Sequence, residues 1–113
     1  MNITLVRAVQ TSMGLPSSWN AWDTNGQYYY LRYRRSRGTV HSFPDEDYTQ
    51  WSWDDWHNPV ARFEYGNPMS GVITFDQFCR LAGLAVAPMI EYECCGRYFN
   101  GHIEDILKEI GKL

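Results

Sequence analysis

The chain has 113 residues, room for one compact domain but not two, so residues 1–113 are read as a single domain. Hydrophobic residues make up 44% and charged residues 20%, which excludes a wholly disordered or fibrous chain. A net charge of −3 removes the global attraction expected of a general nucleic-acid binder, yet residues 1–40 carry five arginines against Asp23 alone, so a basic patch sits inside an acidic protein.

The first ten residues are polar at both ends of a short apolar stretch, and no later run approaches the roughly 18 apolar residues of a membrane span. Neither export nor membrane insertion is expected. Residues 3–9 alternate loosely, Ile3, Leu5 and Arg7 against Val6 and Ala8, and predict a strand. Residues 14–18, with Pro16 and two serines, predict a loop.

Residues 18–23 and 27–35 flank Asn25-Gly26, the dipeptide most favoured by a two-residue type I′ turn, and predict a β-hairpin. Pairing around that turn sets Trp22 opposite Tyr29 and Trp19 opposite Arg32. One face then carries Trp22, Tyr29, Leu31 and Tyr33, the expected core. The other carries Trp19, Tyr28, Tyr30, Arg32 and Arg34. A turn over residues 35–38 leads into a third strand, 39–43, with Arg34 opposite Thr39; His41 and Phe43 join the aromatic and arginine face.

Residues 48–57 place Trp51, Trp53 and Trp56 behind the acids Asp45, Glu46 and Asp47. Trp51 and Trp53 suit a strand and Trp53 and Trp56 a helical turn, so periodicity leaves the segment open. Residues 60–65 predict another strand. Thr74 with Gln77 marks a capping box, and Gly83 a helix stop, with Phe75, Phe78, Cys79 and Ala82 facing the core. Residues 100–113 predict a second helix with Ile103, Ile106, Leu107 and Ile110 on one stripe. The expected fold is α+β: an antiparallel meander of four to five strands packed with two short helices.

Eighteen aromatic residues, 16% of the chain, exceed what a small core needs, so rings are expected to cover a surface or pocket as well. The hairpin face and the tryptophan segment supply the candidate binding residues: Trp19, Tyr28, Tyr30, Arg32, Arg34, His41, Trp51, Trp53 and Trp56. Rings stack on bases and guanidinium groups bind phosphate or carboxylate, so the chemistry admits an acidic protein patch, a nucleotide or a single strand. The structural alternative is that another part of the chain covers this face.

Residues 74–92 have the outline of a helix-turn-helix, but its second helix would contain Pro88, Glu91 and Glu93 and no cation, the wrong surface for double-stranded DNA. The segment is read instead as helix, tight turn and apolar packing segment. Three cysteines, two of them adjacent, form a poor disulfide framework and indicate a reducing cytoplasm. Cys94 and Cys95, with His102 and Cys79, are a weak metal set, since adjacent thiolates reach one tetrahedral ion badly; they read as buried free thiols, and no metal or cofactor is expected. His57 beside Asp54 and Asp55 is the nearest thing to an acid/base pair. No nucleophile triad, phosphate loop or dinucleotide fingerprint accompanies it, so the chain is read as non-enzymatic.

The run Trp19-Asn20-Ala21-Trp22-Asp23, Tyr28-Tyr29-Tyr30-Leu31-Arg32-Tyr33-Arg34 and Gly38-Thr39-Val40 resembles small uncharacterised proteins of actinobacteria and their phages, over about a fifth of the chain. The resemblance implies a small accessory protein that binds a host component. The expected function is a cytoplasmic binding protein acting on a protein partner or on its own copies. The alternative is a nucleotide or single-strand binder with Arg32 and Arg34 on phosphates.

Overall fold

A computed structural model describes residues 2–14 and 16–112; Met1, Leu15 of the expected loop and Leu113 of the expected last helix lie outside the described residues. Seven strands form one sheet: β1 (Thr4–Met13), β2 (Ser17–Asp23), β3 (Tyr28–Arg34), β4 (Arg37–Phe43), β5 (Ala61–Glu64), β6 (Ala85–Cys94) and β7 (Arg97–Gly101). Their spatial order is β5-β4-β3-β2-β1-β6-β7, antiparallel throughout except for the parallel pair β1 and β6. The helices are α1 (Trp53–His57), α2 (Phe75–Ala82) and α3 (Ile103–Ile110), with one 3₁₀ turn at Tyr48–Gln50. Among the described residues no helix is long and apolar enough to cross a membrane.

The α+β class is therefore present, but the sheet is larger than a four- or five-stranded meander and is mixed. The helix-turn-helix outline is excluded, because the residues after Gly83 form β6. Ile90, Tyr92 and Cys94 are buried and alternate with Glu91 and Glu93, the period of a strand with one wet face. The helix boundaries at Thr74 and Gly83 hold, with Gly83 in the left-handed region at φ 76°, although the Thr74 side chain makes no capping hydrogen bond.

The core face is closed by α2 and α3. Trp19 lies at its centre, fully buried, with Phe75 and Phe78 at 5.7 and 5.5 Å and its indole Nε1 donating to the Tyr92 hydroxyl at 2.8 Å. Leu5, Ala8, Leu31, Val40, Ile90 and Ile106 complete the layer. In β1 a register shift between Leu5 and Arg7 brings both Leu5 and Ala8 inward, so Arg7 turns away to lie 4.7 Å from the Trp22 ring. Gly38 is required by packing: a Cβ there would come within 2.1 Å of the Phe63 ring, which lies across it and stacks on Tyr33.

The first hairpin departs from its expected register by one residue. Asp23 Oδ1 accepts the backbone N–H groups of Asn25 and Gln27 at 2.8 and 3.0 Å, and Asp23 N–H bonds to the Gln27 carbonyl at 3.0 Å. These bonds enclose Thr24, Asn25 and Gly26 in a three-residue loop with Gly26 at φ 80°. Trp22 therefore pairs with Tyr28 and Trp19 with Leu31. A one-residue slip reverses every side chain of the strand, so Trp19 is a core residue and Trp22 lies on the opposite face, the converse of the expectation. In β3 and β4 the pairing is Arg34 with Arg37 and Tyr30 with His41, a slip of two from the expected register that leaves the faces unchanged.

Candidate functional site

The face of β3, β4 and β5 that points away from α2 and α3 has an aromatic half and a cationic half. Cross-strand pairing puts Tyr28 beside Phe43 and Tyr30 beside His41. The chain between β4 and β5 folds over them. Its turns are fixed locally: Asp47 caps the 3₁₀ turn by accepting from Thr49 N–H, Ser52 caps α1 by accepting from Asp55 N–H, and Trp51 Nε1 donates to the Asp45 carbonyl at 2.9 Å. Trp51 is thereby laid parallel to Phe43, centroids 4.1 Å apart, and Trp56 parallel to His41 at 4.7 Å. Tyr30 meets both indoles, at 5.2 and 6.2 Å.

Burial changes the chemistry of these groups. The Tyr28 hydroxyl is held above its ordinary pKa, chiefly by desolvation, then by Tyr30 and the acids Glu46 and Asp45. His41 is held below the ordinary histidine value, chiefly by desolvation; the Trp56 backbone opposes this, while Arg32 and Arg62 add to it. His41 Nδ1 has no hydrogen-bond partner.

Farther along the same strands the side chains become Arg32 and Arg34 on β3, Arg37 and Thr39 on β4, and Arg62 and Glu64 on β5. Arg34 faces Arg37, Arg37 faces Glu64, and Thr39 faces both Arg32 and Arg62. Arg35 extends the row at the β3–β4 turn. A cleft of about 830 Å³ runs between these residues, Arg62 excepted, and Tyr65, Gly66 and Pro68. A second cleft of about 410 Å³ shares Arg37, Thr39 and Glu64 with it and reaches Trp56, His57 and Arg62. The one ion pair formed in this row among the described residues is Arg37 to Glu64 at 3.5 Å, exposed on both sides and therefore weak.

The nine expected binding residues consequently separate into four groups. Trp19 belongs to the core. Tyr28, Tyr30, His41, Trp51 and Trp56 form an internal stack, with Tyr28 and His41 buried. Trp53 is 72% exposed and rests on the His57 ring at 3.8 Å. Arg32 and Arg34 line the open cleft, Arg32 with its guanidinium 5.8 Å from the Trp56 ring. His57 Nδ1 bonds to the Trp53 carbonyl at 2.8 Å rather than to a carboxylate, so the acid/base pair with Asp54 or Asp55 is not formed. Arg35, Arg37, Arg62 and Tyr65 are additions to the expected set. For Arg62 the signal was the alternation Arg62, Glu64 in β5, which acquires meaning only when β5 is placed against β4.

Fold and face together define an α+β protein with an aromatic-capped, arginine-lined sheet surface. No family model matches the chain, and neither a curated protein nor a solved structure does.

Proposed function

We propose that this is a non-enzymatic binding protein whose arginine cleft docks a carboxylate-rich segment of a protein partner. The observation that carries this reading is the row Arg32, Arg34, Arg35 and Arg37, lining an open cleft with Glu64 as its one acidic lining residue in a chain of net charge −3. Guanidinium groups on paired strands present planar donors at fixed spacing, the geometry that carboxylates accept bidentately. Partner contact of this kind accords with a small accessory protein acting on a host component.

A second reading retains a phosphate-bearing ligand, a nucleotide or single strand. It is favoured by the cleft's volume and by Tyr65, 48% exposed at its rim. It loses the stacking platform expected on the hairpin, because Tyr28 and Tyr30 are occupied by Trp51 and Trp56.

Fluorescence anisotropy with a labelled poly-glutamate peptide and a labelled oligothymidylate separates the two. The peptide is expected to bind in a salt-sensitive manner, with Arg34→Glu/Arg35→Glu at least about tenfold weaker, about 1.4 kcal/mol. Equal peptide affinity in the double variant would sink the proposal, and tighter binding of the oligothymidylate would assign the cleft to the second reading.

A further inference from the structure

Away from the arginine cleft, at the β6–β7 end of the sheet, lies a pair of adjacent cysteines. Successive strand residues point to opposite faces, so adjacent cysteines ordinarily hold their sulfurs apart. Here Cys94 ends β6 with its side chain buried, while Cys95 opens the two-residue turn to β7 at φ 60°, followed by Gly96 at φ 76°. The left-handed backbone swings the Cys95 side chain back, and the two Sγ atoms lie 2.9 Å apart. Cys95, expected to be buried, is exposed and donates to Met13 Sδ at 3.4 Å. A cleft of about 360 Å³ opens beside the pair, lined in part by Gln10, Glu93 and Arg97.

We propose that Cys94 and Cys95 are a reversible oxidation site that closes to a vicinal disulfide at the expense of a low-molecular-weight disulfide. The Cys95 thiolate attacks one sulfur of that co-reactant. Its S–S bond breaks, one thiolate leaves and takes a proton from water, and a mixed disulfide remains on Cys95. Cys94 then loses its proton to water and attacks Cys95 Sγ, forming the Cys94–Cys95 bond and expelling the second thiolate, which is protonated in turn. Two protein thiols are oxidised and one small disulfide is reduced to two thiols.

The division of labour follows exposure. Burial pushes the Cys94 thiol up to about 12, with the neighbouring Cys95 thiol next in weight, so Cys94 acts second and only against the sulfur beside it. Cys79 is buried in α2 and its thiol is also raised by burial, so it takes no part. Adjacent Cα atoms are about 3.8 Å apart, below the roughly 4.4–6.8 Å usual for a disulfide. The closed ring is therefore strained and reopens under mild reduction, the behaviour of a regulatory bond rather than a structural one.

The site is wired to the core. Cys94 Sγ donates to Gln10 Oε1 at 3.3 Å, which also accepts from the Tyr92 hydroxyl at 3.3 Å, which in turn accepts from Trp19 Nε1 at 2.8 Å. Oxidation removes the S–H donor at one end of this chain, and the indole of Trp19 reports it at the other.

The test is to expose reduced full-length protein to glutathione disulfide, block remaining thiols, and follow intact and peptide masses together with the Trp19 indole N–H resonance, assigned with Trp19→Phe. The expected product has lost two hydrogens within the 94–95 peptide, keeps Cys79 free, and shifts the Trp19 resonance; Cys94→Ser or Cys94→Ala stops at a mixed glutathione adduct on Cys95. A wild-type protein that accumulates that adduct, couples into dimers through Cys95, or does not react overturns the proposal. A disulfide that leaves the Trp19 resonance unmoved overturns the relay.

Discussion

Arg35 and Ser36 are the two residues of the β3–β4 turn, and both are left-handed, at φ 51° and 63°. The left-handed backbone costs an ordinary residue about 1–2 kcal/mol, which Asn and Gly largely avoid. Ser36 N–H is held by the Ser70 carbonyl at 2.8 Å and its own carbonyl by Tyr65 N–H at 2.9 Å, so the 65–70 loop braces the turn at the mouth of the arginine cleft. Strain retained in a turn that displays Arg35 between Arg34 and Arg37 is what the proposed docking of a carboxylate segment would account for. Arg35→Asn/Ser36→Gly is expected to raise stability in chemical denaturation by about 1 kcal/mol, because Gly also widens the unfolded ensemble, while weakening poly-glutamate binding. Unchanged or lower stability would show that the turn is relaxed as it stands. His41 offers a second test. Its folded-state pKa is depressed, so on acidification the unfolded chain takes up a proton near its ordinary value of about 6.5 before the native state does. Stability from this group is thus full above that value and falls as pH drops below it toward the folded pKa. In His41→Phe, which keeps a ring between Phe43 and Trp56, the melting temperature should fall less steeply between pH 7 and 5; an unaltered slope would mean that His41 does not drive it.

At the level of elements, what the sequence conveyed depended on whether the cue was local. The hairpins, the strand over residues 60–65 and the helix from Thr74 to Gly83 rest on turn chemistry and periodicity within a few residues, and all are present. Register was less accessible. Asn25-Gly26 predicts a two-residue loop, but Asp23 Oδ1 captures two backbone donors and enlarges it to three, which exchanged Trp19 and Trp22 between faces and moved one expected binding residue into the core. Strand β6 was obscured because its first half, Ala85 to Met89, contains Pro88 and spans a register shift against β1, so alternation becomes visible only from Ile90 onward. The parallel β1–β6 pairing joins residues some eighty positions apart, and no local cue announces it. Charge on the candidate site was legible as arginine alternation in β3; its continuation across β4 and β5 required the sheet order.

The whole molecule has two apolar layers of unequal standing on opposite faces of one sheet. The first, between the sheet and α2 and α3, is continuous from Ile3 to Ile106. The second is the tryptophan cover, whose turns bond mostly to themselves and which meets the sheet chiefly through rings, from Trp51 to Phe43, Tyr28 and Tyr30 and from Trp56 to His41, Tyr30 and Phe43, with the Trp56 backbone against His41. A layer joined to the sheet mainly by ring contacts, with few backbone hydrogen bonds to it, opens at lower free energy than the hydrogen-bonded sheet beneath it. Trp51 is half-buried and its indole meets Tyr28, Tyr30 and Phe43. Trp51→Ala should cost about 2 kcal/mol, less than the roughly 3–5 kcal/mol of a fully buried ring. Amide exchange should accelerate over residues 45–57 well before it does at Leu31 or Val40. Opening would also return Tyr28, Tyr30 and Phe43 to solvent directly beside Arg32, recreating the interleaved rings and cations of a single-strand binder. The variant is therefore expected to bind oligothymidylate more tightly than the wild type while its poly-glutamate affinity, set by the uncovered arginines, stays the same. Exchange that rises equally across β2 to β4, with no gain in oligothymidylate binding, would mean that the two layers are one cooperative unit and that the cover does not govern which anion the face selects.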